Sequence, residues 1–115
     1  MNEEQLQAKC TQWFWNNYPA QRRMLFHVQN NANSAIQGSR YKAIGVVSGV
    51  SDLVWVLYGK VIFIELKINI NTQTANQIDF ENKVVQREHE YVILNSFEDF
   101  KNFIKSNILI LQNKF

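Results

Sequence analysis

The sequence predicts an α/β fold, a mixed sheet with helices on its faces, in the order α-β-β-β-α-β-α. Three observations carry this reading. Two apolar runs, 53–58 and 61–68, stand either side of Gly59-Lys60, the pattern of a hairpin. Residues 3–17 place Leu6, Cys10, Trp13, Phe14 and Asn17 at the three-and-four spacing of one helical face. A helix pattern over 74–88 then separates strand 61–68 from the strand-like "EYVILNS", which makes a βαβ unit, expected parallel and right-handed.

The elements follow in order. After the helix over 3–17, "NNYPAQRR" breaks the periodicity. "MLFHVQN" (24–30) is apolar and β-leaning, a first strand. Residues 31–44 are small and polar, a loop or a short helix. "GVVSGVSD" is a turn region that feeds the first hairpin strand. Both faces of each hairpin strand are apolar, so the pair sits centrally in a covered sheet. "NINTQTANQ" is the exit loop, and Gln77, Phe80, Val84 and Val85 fall near one face of the helix that follows. Ser96 with Asp99 resembles a capping box opening a helix over 97–106. The tail "ILILQNKF" reads as a further strand or a docking segment.

At 115 residues, 46% of them hydrophobic, the chain suits one folded domain, 1–115. The formal charge of +2 permits an anionic partner without requiring one. The single cysteine, Cys10, excludes an internal disulfide framework, and its place on the apolar stripe makes it a packing residue. No apolar run is long enough to span a membrane, and the acidic start is not a secretory signal, so the cytoplasm is the expected location. His89 has no partner at metal-ligand spacing.

The most apolar segment also carries charge. Asp52 stands at the mouth of the first hairpin strand, and Glu65 and Lys67 near the end of the second. Strand side chains alternate, so Glu65 and Lys67 share a face, with Val61 and Phe63 behind them. A hairpin centred on Gly59 sets residue 52 opposite residue 66 or so, near both. Two carboxylates held this close repel unless a cation lies between them. A hard divalent ion with oxygen ligands fits, and the Leu66 backbone carbonyl could add one more. Lys67 could then activate a water or hold negative charge on a phosphate. An isolated E-x-K triplet more commonly marks a structural ion pair. The conjunction argues otherwise: the triplet ends an apolar run, Asp52 opens the adjoining strand, and a helix bearing Gln77 follows.

In that order and spacing, "GVVSGVSDL…FIELK…Q" resembles the PD-(D/E)XK nuclease superfamily and, within it, the VRR-NUC family of virus-type replication-repair nucleases. The likeness runs from about residue 3 to 104. It takes in Glu3, Leu6 and Gln7, "FHVQN", "GVSDL", "FIELK", Gln77 and "VILNSFEDF". One departure is Ser51, where the family has proline before its first aspartate. The resemblance implies a restriction-endonuclease-like sheet and a metal-dependent DNA endonuclease using Mg²⁺ or Mn²⁺. It implies Asp52 and Glu65 as metal ligands, Lys67 as the catalytic lysine, and Gln77 beside the site, orienting Lys67 or the water. Glu3 would complete the carboxylates directly or through water, with Glu4 as the fallback. His27, Asn30, Arg40 and Lys42 are candidates for touching DNA. At this length no separate DNA-binding domain is expected, so the chain acts with partners or dimerises. The resemblance suggests a homodimer, branched or flapped DNA, and a phage or bacterial host cell. The rival readings are a silent nuclease-fold binding module, which would be expected to lose one of Asp52, Glu65 or Lys67, and a buried ion network, which divalent ions would not stabilise.

Overall fold

In the computed structural model, residues 1–29, 32–68 and 73–114 are described, the last four of these as backbone only. Four strands form one sheet in the order β1-β2-β3-β4: β1 Leu25–His27, β2 Leu53–Val56, β3 Val61–Leu66 and β4 Glu90–Leu94. The first two pairings are antiparallel and β3–β4 is parallel. The helices are α1 Glu3–Asn17, α2 Ala35–Ala43, α3 Ala75–Gln86 and α4 Phe97–Lys114, with a 3₁₀ turn over Pro19–Met24 after α1. This is the expected mixed sheet flanked by helices. Among the described residues no helix is long and apolar enough to cross a membrane.

α1 starts where it does because Asn2 and Gln5 form a capping box, which satisfies end N–H groups that the helix itself cannot. Its stripe Leu6, Cys10 and Phe14 is buried against the sheet face that carries Leu53, Trp55, Ile62, Ile64 and Leu66. Phe100 and Ile104 of α4 complete that core, and Trp13 joins α1 to α4 through edge-on contacts with Phe97 and Phe100. α3 covers the other face. Its Phe80 meets Phe63 of β3 and Tyr91 of β4 edge-on, and its Val84 is buried.

Several expectations change in detail. The segment open between loop and helix contains α2, N-capped by Ser34, which adds a helix to the expected order. The tail is neither strand nor separate segment: it continues α4 to Lys114, since no glycine or proline interrupts 97–114. The hairpin strands are shorter than their apolar runs. Leu57 N–H donates to the Lys60 carbonyl, so the turn occupies 57–60, and Gly59 adopts φ +81° within it.

The register also differs from a pairing centred on Gly59. Leu53 faces Ile64, so one step further Asp52 faces Glu65, not Leu66. Directly opposed residues share a face. The shift of one therefore decides whether the two carboxylates meet or part.

Candidate functional site

The chain end of β3 is where the charged residues gather. Alternation sends Ile62, Ile64 and Leu66 into the α1/α4 core and Phe63 and Glu65 toward α3. Glu65 is only 7% exposed, although it is ionisable. Asp52 approaches from the mouth of β2, its carboxyl within hydrogen-bonding reach of the Glu65 carboxyl.

Asp52 is held at both its carboxyl and its backbone carbonyl. Its Oδ2 accepts from Leu66 N–H at 2.8 Å. Its carbonyl accepts from His27 Nδ1 at 2.6 Å, which fixes the proton of that imidazole on Nδ1. Before it, buried Ser51 donates from Oγ to the Leu53 carbonyl at 2.8 Å, so the hydroxyl tightens the bend into β2. Further back, Gly49 has φ +89°, and a Cβ there would lie 2.5 Å from the Asn76 carbonyl oxygen. That close approach seats the loop on the first turn of α3, where Asn76 Nδ2 also donates to Ser48 Oγ.

The electrostatics follow from this geometry. The Glu65 pKa is pushed up to about 8, first by burial, then by the adjacent Asp52 charge and the proton shared with it, and last by Glu3; Lys67 opposes the shift. Glu65 Oε2 is buried and has no hydrogen-bond partner among the described residues. An orphaned buried carboxylate oxygen beside a second carboxylate fits a hard cation. Leu66 N–H points at Asp52, and the carbonyl of the same residue leaves the strand on the same side, past the end of β2.

Lys67 is half-buried beside this pair, but makes no ion pair with Asp52 or Glu65 within 4 Å among the described residues. Its backbone is clamped to the end of β4 instead. Lys67 N–H donates to the Leu94 carbonyl at 3.0 Å, and its own carbonyl accepts from Asn95 Nδ2 at 3.0 Å. The simple ion-pair reading of the E-x-K triplet is therefore absent from the structure.

The other sequence candidates divide. Glu3 is exposed at the start of α1, and its charge reaches Glu65. No group of three or more His, Cys, Asp or Glu side chains among the described residues is arranged to hold a metal, so the structure does not add Glu3 as a third direct ligand. Of the two ways Glu3 was expected to act, the one through water is compatible with this placement. Gln77 is on α3 as expected, but its Oε1 accepts from Thr74 N–H at 2.9 Å and its own N–H donates to Thr74 Oγ1 at 3.2 Å. It is the third residue of a capping box, so its side-chain carbonyl is engaged with the helix start. Arg40 and Lys42 are exposed in the last turn of α2, and no hydrogen bond or ion pair joins them to the carboxylates. Lys42 lines a cavity of about 570 Å³ with Tyr41 and Ser48. Asn30 lies outside the described residues.

Sequence reasoning missed Asn95, Asn76 and the polar set around Tyr91. Tyr91 lies on the Glu65 face, in register with Phe63. Gln73 Nε2 donates to Glu81 Oε1 at 2.8 Å beside it. The signal for Gly49 was present in "SGVSD", where a glycine so close to a functional loop marks a tight approach; what it approaches was not readable. Cys10 is fully buried, and burial pushes its thiol up to about 12, so it packs rather than reacts.

No protein-family model matches the sequence, and no curated protein matches it. Among solved structures, a chain named "VRR_NUC domain protein" shares the fold, with a TM-score of 0.77 at 16% identity over 92% of this chain and 87% of that one. The four-stranded mixed sheet with its flanking helices is thus the fold of that VRR_NUC domain protein, in line with the resemblance carried by the sequence motifs.

Proposed function

We propose that the protein is a divalent-metal-dependent endonuclease that hydrolyses phosphodiester bonds in DNA. The observation that carries this reading is the meeting of Asp52 and Glu65 on one face, with Glu65 Oε2 buried and without a hydrogen-bond partner among the described residues. Asp52, Glu65 and the Leu66 carbonyl would hold Mg²⁺ or Mn²⁺, with Glu3 reaching it through water. Such an ion supplies charge neutralisation at a phosphate and a water nucleophile at neutral pH.

The remaining work falls to the chain. Asp52 holds its place through Leu66 N–H and His27, so its carboxyl is oriented before any ligand arrives. Lys67, clamped by its backbone and unpaired with either carboxylate, has its ammonium available to a phosphate oxygen or to the attacking water. Arg40 and Lys42 on exposed α2 offer sequence-independent phosphate contacts. The fold shared with the VRR_NUC domain protein supports the same reading. A preference for branched or flapped DNA and a homodimeric state follow from the family resemblance alone.

The test is a panel of labelled branched, nicked and linear DNAs incubated with Mg²⁺, Mn²⁺ or chelator. Wild type should cut with either ion and stop in chelator, while folded Asp52→Ala should not cut. Cleavage by Asp52→Ala, or no cleavage of any substrate by wild type with either ion, overturns the reading.

A further inference from the structure

On the α3 face of the sheet, two buried side-chain oxygens have no hydrogen-bond partner among the described residues: Glu65 Oε2 and Tyr91 Oη. The residues are 7% and 8% exposed. They are neighbours. Glu65 faces Ile93 across the parallel pair, so Tyr91 is the diagonal neighbour on that face, within reach of a long side chain. Tyr91 also feels the charges of Glu65, Glu81 and Asp52. Gln73 lies close enough to interact with the hydroxyl, but its amide points one hydrogen at Glu81, and among the described residues no contact to the tyrosine oxygen has hydrogen-bond geometry.

Packing alone does not call for this hydroxyl. The Tyr91 ring meets Phe80 with centroids 6.2 Å apart, and Phe80 meets Phe63 at 5.0 Å. Phenylalanine would serve that aromatic row equally well and would leave no polar atom stranded. A buried polar atom without a partner is destabilising. Two such atoms on one face, both beside the carboxylate pair, have a common remedy. A single water placed between them can donate to Glu65 Oε2 and accept from Tyr91 Oη, with the Gln73 amide oxygen as a third partner.

We propose that Tyr91 is a positioning residue for the cation site: through one bridging water, its hydroxyl fixes the Glu65 carboxylate in the rotamer that grips the ion. The inference rests on the metal-dependent reading of Asp52 and Glu65. Tyr91 itself touches neither the ion nor the DNA. It acts as the outer partners of metal ligands do, by holding a ligating oxygen in direction.

The test uses Tyr91→Phe beside wild type and a packing control, Phe80→Leu. Mn²⁺ affinity is measured by titration calorimetry, and melting temperature is measured in chelator. Tyr91→Phe should melt within a few degrees of wild type in chelator, since it removes a single water-mediated hydrogen bond, while its Kd for Mn²⁺ rises about 10-fold. Phe80→Leu should do the reverse, with a lower melting temperature and a Kd within twofold of wild type. If wild type binds no Mn²⁺, the metal-dependent function and this inference fall together. If wild type binds and Tyr91→Phe binds equally well, this inference falls alone. A Tyr91→Phe protein that loses as much melting temperature in chelator as Phe80→Leu assigns the hydroxyl a structural role and also overturns it.

Discussion

Replacing Glu65 by glutamine should make the metal-free protein more stable at alkaline pH. Burial and the Asp52 charge raise the Glu65 pKa from 4.5 to about 8. The folded state therefore keeps a proton that the unfolded chain releases across that interval. Unfolding then releases protons, so stability falls as pH rises from about 4.5 to about 8 and levels off above. The full shift corresponds to about 5 kcal/mol at 1.36 kcal/mol per pKa unit. Since the proton is shared with Asp52, about half, ~2–3 kcal/mol, is the working figure for Glu65 alone. Glutamine has nearly the same shape, carries no charge, and can donate from its amide to Asp52 where the proton was. At pH 5 the two proteins should match within ~1 kcal/mol, because wild-type Glu65 is protonated there. At pH 9 Glu65→Gln should gain ~2–3 kcal/mol, or roughly 10 °C in melting temperature. The assay is urea unfolding in chelator at both pH values, followed by the same titrations with Mn²⁺. Saturating Mn²⁺ should raise wild-type stability most at high pH, where the site is ionised, and should leave Glu65→Gln nearly unmoved. Glu65→Gln no more stable than wild type at pH 9 in chelator refutes the account of a buried like-charge pair.

Two further substitutions probe the remaining parts. Lys67→Ala should lower cleavage about 10²-fold or more while leaving the melting temperature within a few degrees of wild type, because the ammonium has no ion pair with either carboxylate; normal cutting by the folded variant removes Lys67 from the mechanism. Gly49→Ala should lower unfolding stability by ~2 kcal/mol or more, since φ +89° is unfavourable for alanine and its Cβ would meet the Asn76 carbonyl oxygen at 2.5 Å; an unchanged urea midpoint shows that the loop is not seated on α3 as described.

The amphipathic and apolar patterns were legible because each has one dominant cause. The stripe Leu6, Cys10, Phe14 reads as a buried helix face, and it is one. The runs around Gly59 read as a hairpin, and the residues flanking it pair as one. What could not be read depended on backbone hydrogen bonding that leaves no trace in hydropathy. The turn closes one pair earlier than the apolar run suggests because Tyr58-Gly59, rather than Gly59-Lys60, forms its centre. α2 buries no residue, so it has no apolar stripe to announce it, and its N-cap Ser34 sits among other small polar residues. Gln77 reads equally well as an active-site amide and as a capping residue; the Thr74 partner three positions before it was the signal for the second.

The site itself was legible as a set of residues but not as a geometry. Glu65 and Asp52 meet only in the observed register, and one residue of slip would send Glu65 to the α1/α4 face. That slip is opposed by the core. Leu53, Ile62, Ile64 and Leu66 are each at most 1% exposed, and a one-residue shift of β3 would turn its three members of that set out of the packed face. At roughly 1.5–3 kcal/mol for each large aliphatic side chain, their burial far outweighs the repulsion between two carboxylates. The same strand end is fixed by polar contacts: Asp52 to Leu66 N–H, His27 to the Asp52 carbonyl, and Asn95 to the Lys67 carbonyl. The apolar core therefore sets which face the charges occupy, and these three hydrogen bonds set where along the strand they stand. A charged cluster on the most hydrophobic segment is consistent with that division. Below about pH 8 the proton kept by Glu65 relieves the pair; above it, this anchoring holds two carboxylates together against their repulsion.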